Sequence, residues 1–376
     1  MATGHKTRIL IVDDSVVTRS LLRSVICADT GLEVAGSAAD GESALKAIET
    51  LRPDLVLLDV EMPVMDGLLT LRELRARGHK MPVIMCSSLT HRGASVTIEA
   101  LAGGASDYVA KPAGQSGREA AMRTLALDLI PKIHALTHML TGQPQSQPRF
   151  PGAPRMLPTS SIQRIQPISS IPAVLAIGVS TGGPAALDVL LPALPDNFPL
   201  PVLIVQHMPE LFTRLLAERL NGRCRLAVRE AAEGDPVRAG TIYIARGNWH
   251  MEVLAAASGG SPATLRINQG PPENHCRPAV DVLFRSLAAV YGSSVLAVVL
   301  TGMGSDGMAG CRLIRGQGGT VLAQDEATST VWGMPGAVAH AGLAHKVLPL
   351  NAIVPEILRI ASRPHSNARE LLKSVN

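Results

Sequence analysis

The chain has 376 residues, of which 46% are hydrophobic and 18% are charged, and its formal net charge is +4. This length and apolar content suffice for two domains with separate cores. Because no apolar run is long enough to span a bilayer and the start "MATGHKTRIL" lacks the apolar core of a signal peptide, we expect a cytoplasmic protein with no membrane insertion.

Charge and residue usage also limit the partners. Lys and Arg number 15 against 16 Asp and Glu in residues 1–138, 3 against 0 in residues 139–172, and 17 against 15 in the remainder. Without a basic stripe, and with only 2% aromatic residues to stack on bases, we expect no nucleic-acid partner. The five cysteines are scattered and form no C-x-x-C pair, which argues against a disulfide framework and a zinc site and suits a reducing compartment.

The first third of the chain alternates apolar runs with helical segments. Five runs have the length and composition of buried strands: RILIV, LEVAGSA, DLVLLDV, MPVIMCS and DYVAK. Strands and helices in alternation form a parallel sheet with helices on both faces. We therefore predict a doubly wound α/β domain over residues 6–138.

A proline-rich segment follows this domain. Residues 139–172 contain seven prolines and no hydrophobic period. This composition is typical of an extended, semi-rigid linker. We predict that it joins two separately folded domains.

The remaining residues, 173–365, are predicted to form a second α/β domain. Five runs again read as buried strands between helices: AVLAIGVS, PVLIVQH, TIYIAR, SVLAVVL and GTVLAQ. Within this domain, the sequence of residues 251–269 predicts antiparallel strands that depart from the alternation of parallel strands and helices. The expected architecture is again doubly wound, in a Rossmann-like arrangement.

Charged and polar residues end the strands of the N-terminal domain. Asp13 and Asp14 follow the first strand, and Asp59 ends the third; Ser87 ends the fourth and Lys111 the fifth. Ligand sites of doubly wound sheets lie at this edge. Three converging carboxylates favour a hard cation such as Mg²⁺, and a carboxylate beside Mg²⁺ is suited to forming an acyl phosphate. Helix capping explains Asp13 or Asp14 equally well, but not Asp59 and Lys111 at the same edge.

Taken in order, the motifs LIVDDS, LLDVEMPVMDG, VIMCSS and DYVAKP resemble those of a two-component response-regulator receiver domain. The resemblance implies a flavodoxin-like fold and a histidine kinase as phosphodonor. It assigns Asp59 as the phosphoacceptor and Asp13, Asp14 and Asp59 as the Mg²⁺ pocket. It also assigns Ser87, Tyr108 and Lys111 as switch positions. Because the Lys-Pro bond in such domains is often cis, we expect a cis Lys111–Pro112 bond.

In the second domain, the stretch VLAIGVSTGGPAALDVL places one serine among glycines after a strand. Gly178, Ser180 and Gly182 fit the G-x-S-x-G pattern, in which a strand-to-helix turn presents a nucleophilic serine. The match is short, and on this stretch alone a structural turn explains Ser180 equally well.

A serine nucleophile needs a base and an acid that orients the base. His207 follows the strand PVLIVQ, which places it at the same edge as Ser180 if the two strands are parallel neighbours. His250 and His275 lie in polar loop segments and are expected to be structural. Asp306 lies in a glycine loop after another strand and is the best-placed acid.

The same loop supports a rival interpretation. Gly302, Gly304 and Gly307 have G-x-G-x-x-G spacing, and Asp325 ends the next strand, as in a dinucleotide-binding site. A receiver-fused oxidoreductase therefore remains an alternative, although Asp306 would repel a pyrophosphate at the helix start. A third alternative is a phosphorylation-gated scaffold that binds receptors without catalysis.

The motifs IGVSTGGP, QHMPELFTRLLAERL, PPENHCRPAVDVLF and TGMGSDGMAG together resemble the catalytic domain of the chemotaxis protein-glutamate methylesterases, the CheB family. The resemblance implies Ser180 as nucleophile, His207 as general base and acid, and Asp306 as the acid behind it. It implies demethylation of methyl-glutamate, and deamidation of some glutamines, in the cytoplasmic domains of chemoreceptors. No cofactor is expected in the esterase site. Backbone amides of Thr181, Gly182 and Met303 are candidates for holding the oxyanion.

Overall fold

A computed structural model of the chain describes residues 6–88, 90–112, 117–141, 171–256 and 261–362. Within these ranges, no helix is both long and apolar enough to cross a membrane. Most of the predicted linker, residues 142–170, and the last residues of the predicted second domain, 363–365, lie outside them.

The N-terminal domain is a five-stranded parallel sheet flanked by helices. The strands are β1 Thr7–Val12, β2 Leu32–Ala38, β3 Leu55–Asp59, β4 Val83–Ser87 and β5 Asp107–Ala110. The helices are α1 Val16–Cys27, α2 Gly41–Leu51, α3 Gly67–Ala76, α4 His91–Ala102 and α5 Arg118–Thr141. The strand order β2-β1-β3-β4-β5 is the flavodoxin-like order, so the predicted fold is confirmed. Helix α5 continues three residues past the predicted domain end at residue 138.

The C-terminal domain has nine strands and six helices within the described residues. The strands are β6 Val174–Val179, β7 Val202–Gln206, β8 Ala227–Glu230, β9 Thr241–Ile244, β10 His250–Leu254, β11 Thr264–Asn268, β12 Val295–Val299, β13 Thr320–Gln324 and β14 Lys346–Leu348. The helices are α6 Gly183–Leu190, α7 Glu210–Asn221, α8 Val280–Tyr291, α9 Met308–Gly316, α10 Met334–His340 and α11 Leu350–Ala361. Two short 3₁₀ helices, Leu191–Ala193 and Gly292–Ser294, complete the domain.

Seven of these strands form one parallel sheet in the order β14-β13-β12-β6-β7-β9-β8. Strands β10 and β11 pair separately and antiparallel, as the sequence predicted for residues 251–269. From β6 the chain first builds the sheet toward β7, β9 and β8, and later returns to add β12 on the other side of β6. The boundary between β6 and β12 is thus the switch point at which doubly wound folds bind ligands.

The central strands are apolar runs because both faces of the sheet are covered by helices. Every residue of β6, β7 and β12 is buried. Strands β8 and β14 were not predicted. They are short edge strands with exposed positions, reading AVRE and KVL, so their sequences lack a continuous apolar run.

The two domains pack directly against each other. One continuous cluster of buried apolar residues contains members of both domains. Helix α4 contacts α6 and α7, and the Tyr108 ring stacks on the Phe212 ring with centroids 4.4 Å apart. The N-terminal domain therefore presents its α4–β5 side to the helices that follow β6 and β7.

The expectation of a cis Lys111–Pro112 bond was wrong. In the described part of the chain, the cis bond precedes Pro278 instead, at Arg277–Pro278. The trans form of an X-Pro bond is the more stable one by about 0.5–1 kcal/mol unless the surroundings select cis.

Candidate active site

Ser180, His207 and Asp306 follow three neighbouring strands of the large sheet. Ser180 comes directly after β6 and His207 directly after β7, and these strands pair in parallel with Val179 opposite Gln206. Asp306 lies in the loop after β12, the other neighbour of β6. The fold therefore brings the three predicted residues to one edge of the sheet, at its switch point.

Glycines shape the turn that carries Ser180. Gly182 has a φ of +76°, a conformation that suits glycine, and α6 starts at the next residue with Pro184 in its first turn. Behind the turn, a Cβ on Gly302 would lie 2.8 Å from the Ser180 Cβ. Under the strand, a Cβ on Gly178 would lie 2.5 Å from Val280. Neighbouring groups therefore leave no room for a side chain at Gly178 or Gly302, which explains the glycines around Ser180.

His207 and Asp306 form a direct hydrogen bond. Nε2 of His207 lies 2.8 Å from Oδ2 of Asp306, and both side chains are largely buried. The other ring nitrogen, Nδ1, lies 3.6 Å from Sγ of Cys276. Among the described residues, the Ser180 hydroxyl has no hydrogen-bond partner, and the third link expected of a triad is not formed in this state.

Asp306 is held by hydrogen-bond donors from the start of α8, from Gly307 and from Asn274. Its carboxylate accepts from the backbone N–H groups of Val280 at 2.6 Å, of Asp281 at 3.0 Å and of Gly307 at 3.0 Å. The amide of Asn274 donates to it at 2.8 Å. Helix N-termini stabilise negative charge, so this arrangement keeps Asp306 ionised and fixed in place.

The pKa shifts follow from this arrangement. Burial alone would lower the pKa of His207, but its hydrogen bonds to Asp306 and Cys276 outweigh burial and raise that pKa to about 9. Burial would raise the pKa of Asp306, but the His207 hydrogen bond and the backbone donors lower it. The raised pKa of His207 and the lowered pKa of Asp306 both favour an imidazolium held by a carboxylate.

Cys276 and Asn274 were not assigned roles from sequence, although their motif was noted. Glu273 and Cys276 exchange two backbone hydrogen bonds of 3.0 and 2.8 Å around Asn274 and His275, which have φ of +53° and +63°. Two positive φ values between such partners define a tight type I′ turn, for which Asn in its first central position is a signal. We call residues 273–276 the site turn. It brings Asn274 to Asp306 and Cys276 to His207.

The candidates for the oxyanion site lie beside Ser180. Within the described residues, the backbone N–H groups of Thr181 and Gly182 donate to no protein acceptor. Met303 is 37% exposed and lies in the loop that also carries Gly302. These amides remain candidates for the role.

The alternative residues have structural partners. His250 is buried, and its ring nitrogens bond to the Pro271 carbonyl at 3.0 Å and to the Ala279 N–H at 3.3 Å, as expected for a structural histidine. His275 is exposed in the site turn. Asp325 accepts the Thr328 N–H at 3.0 Å in a local cap. Asp325 therefore already has a structural role in the described chain.

A second polar cluster lies at the edge of the N-terminal sheet. Carboxylate oxygens of Asp13, Asp14 and Asp59 all lie within 4.8 Å of one another. The ammonium of Lys111 contacts Asp13 at 2.8 Å and Asp59 at 2.7 Å. Burial raises the pKa of Asp59, and the Lys111 hydrogen bond opposes that shift. Three carboxylate oxygens at this spacing fit a Mg²⁺ ion, which prefers oxygen ligands.

The other two predicted switch positions, Ser87 and Tyr108, differ in their surroundings. Ser87 is fully buried at the end of β4, and its hydroxyl donates to the Ser88 carbonyl at 3.1 Å. The Tyr108 ring packs against the C-terminal domain, where it stacks on Phe212. Burial raises the pKa of Tyr108.

One hydrogen bond connects the turn that carries Ser180 to the N-terminal domain. The Thr181 hydroxyl donates to Oδ2 of Asp107 at 2.6 Å, and both groups are buried. Asp107 also faces Lys132, whose ammonium lies 3.7 Å from Oδ1 and donates to the Tyr108 carbonyl at 2.7 Å. The residue after Ser180 is therefore tied to the N-terminal domain.

Comparisons with known families agree with both halves of this description. Residues 9–122 match the model of the response regulator receiver domain, and residues 175–357 match that of the CheB methylesterase. The second match includes the glycine loop of the oxidoreductase alternative, which therefore finds no support.

Relatives align with nearly the whole chain. A protein-glutamate methylesterase/protein-glutamine glutaminase of Nocardioides sp. is 50% identical, covering 95% of this chain and 96% of the relative. Proteins of the same name from Trichodesmium erythraeum and Maricaulis maris are 47% and 43% identical, each covering 94% of this chain and 99% and 95% of their own lengths. The chain belongs to the CheB family of methylesterases that carry a receiver domain.

Proposed function

We propose that this protein hydrolyses methyl esters of glutamate side chains on chemoreceptors during chemotactic adaptation, and that it deamidates selected glutamines by the same route. The observation that carries the proposal is the His207–Asp306 pair, 2.8 Å apart, at the strand end beside Ser180. Family membership and the names of the relatives support the choice of substrate. A scaffold that only bound receptors would not need this combination of residues.

In the proposed reaction, Asp306 fixes the His207 ring through Nε2, so Nδ1 is the atom that accepts the proton of the Ser180 hydroxyl. Ser180 then attacks the ester carbonyl, and His207 returns the proton to the departing methanol. Water, activated by the same nitrogen, releases glutamate from Ser180. The site needs no cofactor for these steps.

The charge that develops on the carbonyl oxygen requires hydrogen-bond donors. We assign this role to the backbone N–H groups of Thr181 and Gly182, with Met303 as a further donor. Such donors contribute about 10²–10³-fold in rate each, because they are already oriented when the charge forms.

The receiver domain supplies control. We assign Asp59 as the phosphoacceptor and Asp13, Asp14 and Asp59 as the Mg²⁺ ligands, with a histidine kinase as phosphodonor. Receiver domains in general depend on Mg²⁺, which neutralises charge on the transferred phosphoryl group. Lys111, now bonded to Asp59, is placed to contact the new phosphoryl oxygens. Ser87 and Tyr108 complete the switch.

Regulation follows from the packing of the domains. The unmodified receiver holds Thr181 through Asp107 and covers the helices beside the Ser180 turn. An acyl phosphate adds roughly two negative charges at Asp59. We infer that this shifts an equilibrium between docked and undocked receiver, with residues 139–172 as the tether between domains 6–138 and 173–365. The thiols of all five cysteines are free, which suits the cytoplasm, where the substrate domains of the receptors lie.

The test is methanol release from methylated receptor by purified protein. Ser180→Ala removes the nucleophile at a half-buried turn position, so we expect loss of methanol release with an unchanged fold. Ser362→Ala is the matched control, because it deletes a serine hydroxyl at the far end of α11, where it donates only to Leu358. If a folded Ser180→Ala variant releases methanol at the rate of the unaltered protein (the parent), the serine mechanism is contradicted.

A further inference from the structure

The ring nitrogen of His207 that the reaction requires faces a thiol. Nδ1 lies 3.6 Å from Sγ of Cys276, and the Cys276 side chain is half-buried. His207, Cys276 and Asp306 each place one ligand-type atom within 4.8 Å of the others. An imidazole nitrogen and a thiol sulfur are the donors that Zn²⁺ prefers in proteins.

The distance between these donors suits one metal ion. Zn–N bonds of about 2.0 Å and Zn–S bonds of about 2.3 Å at a tetrahedral angle put the nitrogen and the sulfur about 3.5 Å apart. The structure holds Nδ1 and Sγ at 3.6 Å before any metal binds. Little rearrangement is needed for both atoms to bind one ion.

Asp306 supports the same site without serving as a ligand. Its oxygens already accept hydrogen bonds from His207 Nε2, from Asn274 and from backbone amides. By accepting from Nε2, Asp306 leaves the lone pair of a neutral His207 on Nδ1. A carboxylate behind a metal-binding histidine fixes the tautomer and the ring in this way.

Cys276 is held in place rather than carried on a free loop. The site turn is closed by the two backbone bonds between Glu273 and Cys276. Glu273 is anchored to Arg285 by contacts of 2.5 and 2.6 Å, and Asn274 by its bond to Asp306. Cysteine spacing in the sequence predicted no zinc site, because it detects only ligands grouped in one motif.

We propose that His207 and Cys276 form a binding site for Zn²⁺ or a similar soft divalent cation, and that occupancy of this site inhibits the esterase. Binding forms one Zn–N and one Zn–S bond, water fills the remaining positions, and the Nδ1 proton of His207 and the thiol proton of Cys276 both leave to solvent without any redox change. The bound ion uses the Nδ1 lone pair that accepts the Ser180 proton. The inhibition of the esterase rests on the proposed function, whereas the metal binding does not.

The test uses Co²⁺ as a spectroscopic substitute for Zn²⁺, on the full chain with excess Mg²⁺ to occupy the carboxylate cluster of the receiver. A thiolate bound to Co²⁺ gives a charge-transfer absorption that carboxylate ligands do not. We expect this band in the parent and in Cys224→Ala, the matched removal of another half-buried thiol, and its displacement by Zn²⁺. Cys276→Ala must lack the band.

Methanol release is measured in parallel, with each protein compared with its own rate in a chelator. Zn²⁺ must inhibit the parent and Cys224→Ala, and Cys276→Ala must need at least about tenfold more Zn²⁺, the loss typical of disturbing a metal-ligand environment. Absence of the band, its persistence in Cys276→Ala, or saturation without inhibition would overturn the proposal. A parent that releases no methanol in chelator would instead contradict the proposed function.

A measurement on the unaltered protein covers the case in which Cys276→Ala does not fold. Zn²⁺ must slow the alkylation of Cys276, mapped by mass spectrometry, while Cys224 in the same sample serves as the internal reference. Equal alkylation of Cys276 with and without Zn²⁺ contradicts the site.

Discussion

The Thr181 hydroxyl donates a 2.6 Å hydrogen bond to the carboxylate of Asp107, and this bond joins the residue after Ser180 to the residue before Tyr108. Thr181 lies in the turn that carries the proposed nucleophile, and Asp107 begins β5 of the receiver. Because both groups are buried, breaking the bond while the domains stay docked leaves a carboxylate without this donor. The contact therefore favours the docked state.

Thr181→Val should raise the rate of the unphosphorylated enzyme. The substitution keeps the side-chain shape and the backbone N–H but removes the donor to Asp107. Hydrogen bonds to charged groups contribute about 1.5–3 kcal/mol, so we expect the basal rate to rise by about ten- to a hundredfold and the stimulation by phosphorylation to shrink. Initial methanol release with and without a small phosphodonor measures both.

Thr241→Val is the control for that experiment, since Thr241 is half-buried at the start of β9, which pairs with β7 and β8 of the C-terminal domain. The control should behave as the parent. An unchanged basal rate in Thr181→Val would show that this bond does not hold the receiver in place.

Asp306→Asn should lower kcat by about 10⁴-fold, the loss seen when the acid behind a catalytic histidine becomes an amide. The amide keeps the size of the side chain but no longer fixes the His207 ring in the reactive tautomer. Steady-state kinetics check the rate, and thermal unfolding checks that the fold at the start of α8 survives. A variant that keeps its kcat removes Asp306 from the mechanism.

The basal rate should depend on pH through His207. Its pKa of about 9 in the docked state means that the neutral, proton-accepting form is scarce at pH 7. Below that pKa the rate should rise about tenfold per pH unit and level off near pH 9. Ser180→Ala serves as the blank for ester loss in alkaline buffer, and a rate that is already level at pH 7 contradicts the assignment.

Val64 is expected to destabilise the receiver. It is 80% exposed with φ of +66°, and the Met65 N–H bonds back to the Pro63 carbonyl at 2.7 Å, a strained γ-turn for a β-branched residue. Val64→Gly should raise the free energy of unfolding by up to about 1 kcal/mol. Denaturant unfolding measures it.

Val17 provides the comparison, because it is equally exposed but lies in the helical backbone of α1. Val17→Gly should destabilise the protein, since glycine is a poor helix former. Destabilisation of similar size at both positions would show that the backbone at Val64 carries no strain.

Sequence patterns predicted the sheets because buried parallel strands are apolar runs with polar residues at their ends. That rule located Ser180 and His207, which directly follow β6 and β7. It missed β8, whose AVRE sequence is half exposed at a sheet edge.

Contacts between residues that are far apart in the sequence leave no local sequence pattern. Cys276 reaches His207 from 69 residues away through the site turn, for which the Asn274 position was the available signal. Asp107 and Thr181 are 74 residues apart and belong to different domains. Neither strand periodicity nor a motif specifies how two finished domains pack, so sequence did not predict these pairs.

We propose that phosphorylation of Asp59 controls hydrolysis at Ser180. The most direct test is initial methanol release by the parent and by Asp59→Asn, each with and without a small phosphodonor and Mg²⁺. We predict that the donor accelerates the parent and leaves Asp59→Asn at a basal rate close to that of the unstimulated parent. Equal stimulation of both proteins, or no stimulation of a parent whose phosphorylation is confirmed by mass spectrometry, would contradict it.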